Sequence, residues 1–331
     1  MSRCIRRYLL TLLAALSGLC VASVSDAAEK TFKLGHASSV TSHSQIAAVE
    51  LQRVMKERSG GRLDVGIFPN SQLGDEKELL EAILLGSVDM TKTSTAVLSN
   101  FIPEFNVLNM PFVFQDLDHL GRATDNSGPI FAKMRDISAK KGFRLLGVLV
   151  CCNRHFMTHK PINSMADLKG LKLRAIQNPV HIATFNAFGA NATAIAFSEL
   201  YGALQTRVVD GGDAANTNYY DQKLYEIVPN WAMVSWLVLA EALVMSEKNF
   251  QALSAADQKI VMDSGTDLVK YSNIYARDLE NERLAKIREQ RGVTITTPDR
   301  APFIAASEKI YDQFLKTPDE LEILKMIRAT K

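Results

Sequence analysis

With 331 residues, the chain is too long for one small hydrophobic core and implies about two domains. Hydrophobic residues make up 47% and charged residues 22%, the balance of a globular protein and not of a disordered one. Setting aside residues 1–27, with Arg3, Arg6, Arg7 and Asp26, leaves 35 basic and 35 acidic residues, so net charge gives no reason to expect nucleic acid or an anionic membrane as partner.

Arg3, Arg6 and Arg7 precede an apolar run over 8–24, and Ser25-Asp26-Ala27 then places small residues where a signal peptidase reads. This pattern predicts a secretory signal cleaved after Ala27 and an exported, soluble, periplasmic protein. A membrane anchor would need roughly 20 uninterrupted apolar residues. Leu19 is larger than the small residue that lipidation of Cys20 would require. Cys4 and Cys20 leave with the signal, and the adjacent Cys151 and Cys152 are expected to be packed thiols, since a disulfide framework needs separated pairs.

Alternation over 31–37 reads as a strand ending in His36-Ala37-Ser38-Ser39. Ser42 and Gln45 have the spacing of a capping box and open a helix to about Ser59, which Gly60-Gly61 stops. Strands over 63–68 and 88–93 flank a helix over 75–85, so this part reads β-α-β-α-β, the pattern of a parallel sheet covered by helices. The proline-rich, aromatic segment 101–114 is irregular, and helices over 117–123 and 130–141 lead to a buried strand over 143–150. A second α/β set begins at Arg154, with strands over 154–158, 171–176, 191–196 and 208–211 and helices over 179–188 and 198–204. Two α/β lobes follow from this order. After an apolar extended run over 231–240 and 242–246, Ser254 and Asp257 cap a helical pattern reaching about Arg291. At 1.5 Å per residue such a helix is roughly 54 Å long, beyond the roughly 30 Å of a small domain, so it must bridge both lobes. Helices near 302–315 and 318–328 complete the chain.

Within 171–176, Leu171, Leu173 and Ala175 alternate with Lys172 and Arg174, which brings Arg174 out at the carboxyl end of a strand. Ligands of open α/β sheets sit at that end, and a guanidinium matches a carboxylate bidentately. A lone strand-end arginine is more often simply solvated. The chain carries no Gly-x-Ser-x-Gly elbow, no His-Glu-x-x-His and no glycine-rich phosphate or dinucleotide loop. His155 and His159, four apart on an expected strand, lack the helical spacing of metal ligands. Binding without chemistry is the expectation, with neither metal nor cofactor.

Several segments in a fixed order carry a resemblance. They are Phe68-Pro69-Asn70-Ser71-Gln72-Leu73-Gly74, Met110-Pro111-Phe112, Ala166-Asp167-Leu168-Lys169-Gly170-Leu171-Lys172-Leu173-Arg174, Gly189-Ala190-Asn191-Ala192-Thr193, Ala196-Phe197-Ser198-Glu199-Leu200-Tyr201-Gly202-Ala203-Leu204-Gln205, Val209-Asp210-Gly211 and Gln222-Lys223-Leu224-Tyr225-Glu226. Over essentially all of its mature length the chain resembles the substrate-binding proteins of TRAP (tripartite ATP-independent periplasmic) transporters. The resemblance implies a two-lobed α/β periplasmic-binding-protein architecture, closing on its ligand about a hinge. One lobe would comprise 28–151 with about 240–279, the other 152–239 with about 280–331. It implies a small carboxylate as ligand and the TRAP permease membrane subunits as partner. Arg174 would pair with the carboxylate, Arg154 would lie in the cleft and Phe197 would pack on the ligand. His36, Ser38, Gln72, Glu76, Thr93 and Ser94 would line the other lobe.

Family members commonly read Asp-Gly-Gln-Glu-Asn-Pro where this chain reads Asp210-Gly211-Gly212-Asp213-Ala214-Ala215, so Ala214 replaces an asparagine that helps hold the carboxylate. Asn216 and Asn218, with Tyr219 and Tyr220, are expected to take over part of the lining. Asp213 is expected to accept from ligand hydroxyls, which would favour a hydroxy or sugar acid. Two other roles fit the same sequence: a ligand-loaded sensor subunit for a receptor, and an exported enzyme with only Asp213 and His36 as recruits.

Overall fold

Phe32 and Leu34 alternate with Thr31 and Lys33, and this period of two makes Lys30–Gly35 a strand, β1, whose apolar side chains are buried. The structure, a computed structural model, describes residues 28–331, so the expected signal and its cleavage after Ala27 lie outside the described residues. Leu63–Phe68 (β2) and Met90–Ser94 (β3) flank β1 in parallel, with helices His43–Ser59 and Glu76–Leu85 as the crossovers. Ser42 caps the first helix by accepting from the Gln45 amide at 3.3 Å. The reciprocal half of the expected capping box does not form, because Gln45 Oε1 turns instead to His36 Nε2 at 3.0 Å.

Phe143–Thr158 (β4) is one strand of 16 residues, not the two expected over 143–150 and 154–158. Two register shifts, at Val150/Cys152 and Arg154/Phe156, absorb the change of character, so the chain bulges without leaving the sheet. Lys172–Ala175 (β5), Asn191–Ala194 (β6) and Gly211–Ala214 (β7) then form a second parallel group. The last of these begins later than the expected 208–211. Arg207 turns with φ 58° and Val208 is exposed, whereas Gly211 lies so close to β4 that a Cβ would come 2.2 Å from the Met157 carbonyl oxygen. Asn230–Ser246 (β8) runs 17 residues antiparallel to β4, and Thr294–Thr296 (β9) pairs with its start.

Among the described residues these strands form one sheet in the order β2-β1-β3-β8-β4-β7-β5-β6. The two α/β halves are therefore joined in the sheet itself, through the long central pair β4 and β8. Helices cover both faces of that pair, which is why β8 is apolar almost throughout and not alternating.

The helix Ala255–Glu289, 35 residues against the expected 254–291, spans about 52 Å. Val261, Leu268 and Val269 pack with Phe32, Leu34 and Leu51 in the first half, and Ile287 packs with Leu200, Leu204 and Trp231 in the second. Gly265 is where the helix presses on β4, since a Cβ there would lie 2.5 Å from the Leu146 carbonyl oxygen. The final helix, Pro318–Ala329, departs from its expected place with residues 152–239. It packs on first-half elements, with His119 Nε2 at 3.1 Å from the Ile327 carbonyl and Lys133 Nζ at 2.7 Å from Glu322. Ile323, Leu324 and Ile327 are apolar at helical spacing and complete the large core beneath the 103–114 segment.

Candidate functional site

Arg174 sits third in β5, between β6 and β7, and is only 2% exposed. The sheet positions and neighbours bury it, so the solvated alternative does not apply. Its Nε donates to the Ile195 carbonyl at 2.9 Å, and no carboxylate pairs with its guanidinium among the described residues. Burial without a paired anion lowers its pKa to about 10, an effect that the charge of Asp213 only partly offsets.

Arg154, on β4, is buried beside it but already paired. Nε donates to Asp213 Oδ2 and Nη2 to the Asp213 carbonyl, both at 2.8 Å, and Trp236 Nε1 reaches the same Oδ2 at 3.2 Å. Burial alone would raise the Asp213 carboxyl, but the Arg154 guanidinium outweighs it and holds the group below its usual range. Asp213, expected to accept from ligand hydroxyls, is fully buried and does not border the pocket; its Oδ2 serves Arg154 and Trp236, while Oδ1 has no hydrogen-bond partner among the described residues.

The pocket lies between the two halves and surrounds about 510 Å³ of space, part of it continuous with solvent. Arg154, Arg174, Ile176, Phe197 and Asn218 line it from the second half, and Ala37, Ser38, Glu76 and Ser94 from the first. Besides Asp213, the expected Gln72, His36, Thr93, Asn216, Tyr219 and Tyr220 do not border it. Gln72 is exposed in the turn after β2. His36 is buried and bonded to Gln45, and Thr93 Oγ1 donates to Glu76 Oε1 at 3.2 Å. Asn216 opens the helix Asn216–Asp221, where its amide donates to Glu280 Oε2 at 3.1 Å and its side chain accepts from Trp231 Nε1 at 3.1 Å. Ala214 is buried in register with His155.

Glu76, in the first turn of its helix, accepts from the Ser94 amide at 2.7 Å and Ser94 Oγ at 3.0 Å. Burial, the dominant influence, raises its pKa. Asp75 just before it reaches across the pocket mouth, where Oδ2 accepts from the Ser198 amide at 2.9 Å and from Ser198 Oγ at 2.6 Å. Asn178 Nδ2 to Ser99 Oγ at 2.7 Å and Asn100 Nδ2 to the Gln177 carbonyl at 2.7 Å also join the two halves.

Sequence reasoning missed Leu239 on β8 and also His43, Ser44, Lys92, Cys151 and Glu241, which complete the first-half wall. The Lys92 ammonium pairs with Glu241 Oε2 and donates to Ser44 Oγ at 3.0 Å, and His43 Nε2 lies 2.9 Å from the same carboxylate oxygen. Burial would raise Glu241, but the charges of His43 and Lys92 outweigh it and lower its pKa well below the ordinary carboxylate value. The signal was a single carboxylate interrupting the apolar run Leu237-Val238-Leu239-Ala240-Glu241-Ala242-Leu243, which can be buried only with a partner. His43, Cys151 and Glu241 place ligand atoms within 4.8 Å of one another, but the Lys92 ammonium already supplies the cation that this carboxylate holds. Cys151 and Cys152 are free, buried thiols, as expected, and Cys151 lies where the β4 register shifts.

A two-lobed α/β frame with a buried guanidinium facing an interlobe pocket is the arrangement of an extracellular solute-binding protein. The chain belongs to the bacterial extracellular solute-binding proteins of family 7, whose family model matches residues 34–317. Within that family it is a substrate-binding protein of the TRAP type. A solute-binding protein of Verminephrobacter eiseniae is 32% identical over 291 residues, covering 88% of this chain and 86% of the relative. The sialic acid-binding periplasmic protein of Vibrio cholerae is 31% identical over 297 residues, covering 88% and 91%. A TRAP periplasmic solute-binding protein from Xanthobacter autotrophicus, solved with bound β-D-galacturonate, has a TM-score of 0.87 at 26% identity, covering 91% of this chain and 100% of that one. One from Polaromonas, bound to D-erythronate, has a TM-score of 0.86 at 27% identity, covering 91% and 99%.

Proposed function

We propose that the protein captures a small organic acid, of the hydroxy or sugar acid kind, in the interlobe pocket and hands it to the membrane subunits of a TRAP permease. It would do so in the periplasm, after removal of residues 1–27. The carrying observation is the buried Arg174 guanidinium, which has no carboxylate partner among the described residues while Arg154 has Asp213 and Lys92 has Glu241. A buried cation without a partner is costly, and a ligand carboxylate removes that cost while accepting two parallel bonds. Solved relatives that hold β-D-galacturonate and D-erythronate support the hydroxy-acid class.

The proposed lobes are 28–151 with about 240–279, and 152–239 with the end of the long helix. They meet where β4 and β8 cross, and closure about those strands would bring Arg174 and Phe197 against the first-lobe wall. The protein is read as a binder and not an enzyme. Asp213 is committed to Arg154 and His36 to Gln45, so neither candidate for catalysis is poised over the pocket.

Calorimetry of the mature protein with galacturonate, glucuronate and erythronate, repeated on Arg174→Ala, tests the reading. The variant should lose at least about 3 kcal/mol of binding free energy, a hundredfold or more in Kd. Unchanged affinity in the variant would remove the carboxylate anchor.

A further inference from the structure

We infer that the pocket selects an acid with one carboxylate and hydroxyl groups at its far end, and that it rejects the matching diacid. This rests on the organic-acid reading of the pocket and refines it. The two walls differ in which groups remain unclaimed. On the second-half wall the free charged group is a donor: beyond Nε, the Arg174 fork has no protein acceptor among the described residues, and the neutral Asn218 amide beside it can donate or accept. On the facing wall the cation is claimed, since Lys92 bonds to Glu241 Oε2 and to Ser44 Oγ at 3.0 Å. What remains there is an acceptor: Glu241 Oε2 takes both Lys92 and His43, and Oε1 has no donor among the described residues.

Formal charge separates the walls in the same sense. Arg154 and Arg174 against Asp213 leave the second-half wall one positive charge in excess. Lys92 against Glu76 and Glu241 leaves the facing wall one negative charge in excess, or none when Glu76, raised by burial, is protonated. With His43 counted neutral, the facing wall is positive in neither state, and a proton on His43 would add a charge that Glu241 Oε2, 2.9 Å away, already holds as it holds Lys92. A carboxylate seated on Arg174 meets an unpaired donor. A second carboxylate at the other end would face Glu76 and Glu241, or would have to take Lys92 away from Glu241. Repulsion between like charges in a partly desolvated pocket is large, and an unfavourable contact of this kind discriminates as strongly as an attractive one. Hydroxyls carry no such penalty: they donate to Glu241 Oε1 and exchange bonds with Ser38 and Ser94, which also line the pocket. An ammonium in their place would lie beside Lys92.

Titration calorimetry of the mature protein with chain-matched pairs tests this: D-galacturonate against galactarate, D-glucuronate against D-glucarate, and D-erythronate against meso-tartrate. In every pair that binds, the monoacid should be at least about tenfold tighter than the diacid. Glu241→Gln, which frees Lys92, should narrow or invert that ratio, and Glu76→Gln, which leaves the Lys92 pair intact, should narrow it less. A diacid equal to or tighter than its monoacid in the unaltered protein would overturn the inference and leave the organic-acid reading standing. No binding by any member of any pair would overturn that reading and the inference with it.

Discussion

Arg154 and Arg174 have the same side chain, lie in one buried site and do different work because of one neighbour. Asp213 neutralises Arg154 through two 2.8 Å bonds, leaving Arg174 as the cation available to a ligand. Two predictions belong at this scale. Arg174→Lys should lose most of the affinity that Arg174→Ala loses, because an ammonium cannot both bond the Ile195 carbonyl as Nε does and present a planar fork; calorimetry on both variants checks it. Asp213→Ala leaves Arg154 buried and unpaired, and should cost about 3–5 kcal/mol of unfolding free energy, read from urea titrations without ligand. Arg174 was the residue most legible in the sequence, since a strand period and a following loop were enough to place it. Its partnerless state was not legible, because Asp213 lies 39 positions away in the chain and could equally have faced it.

Among the elements, the long helix and the pocket-mouth contacts carry the mechanics. Gly265 could look like a weak point of the helix, and replacing glycine by alanine in a helix is worth about 1 kcal/mol in favour of the helix. Here the added Cβ would lie 2.5 Å from a backbone oxygen of β4, which cannot move as a flexible side chain does. Overpacking of about 1–3 kcal/mol therefore wins, and Gly265→Ala should lower the thermal midpoint. At the pocket mouth, Ser198→Ala removes the hydroxyl bond to Asp75 and leaves the Asp75 cap on its own helix. Because Ser198 is exposed, stability should change by less than about 0.5 kcal/mol. Stopped-flow release of ligand should be several-fold faster, as one closing contact is lost.

For the whole molecule, burial sets the pH response. His155 and His181 are buried with pKa values lowered to about 3, by desolvation first; nearby guanidinium charge adds, Arg154 and Arg300 for His155 and Arg154 and Arg174 for His181, and Asp213 partly offsets it. Their unfolded pKa is about 6.5, so between these values the unfolded chain binds protons that the native state refuses. Their contribution is fully present above pH 6.5 and is lost as pH falls towards 3, by up to about 1.4 kcal/mol per pH unit for each histidine. Glu76 and Glu280, raised by burial, act with the opposite sign above the ordinary glutamate value. His181→Leu isolates the histidine effect: its loss of stability between pH 7 and pH 5, measured by denaturant unfolding, should be smaller than that of the unaltered protein. An equal pH dependence would mean that His181 titrates normally.

At this scale the sequence by itself determined the α/β class, the long bridging helix and the family. Each rests on local period, capping residues or motif order, which the chain expresses over short distances. It split the continuous strand β4 near Cys151-Cys152, did not foresee the packing of the final helix, and passed over Lys92 and Glu241. A bulge looks like a strand end in one dimension, and the packing partner of a terminal helix is not written in its own period. Lys92 and Glu241, 149 positions apart, become a pair only when β3 and β8 lie side by side. Tertiary structure alone decided which charges neutralise one another, and so which one is left for the ligand, because Coulomb and desolvation energies depend on distance and burial in space and not on separation along the chain.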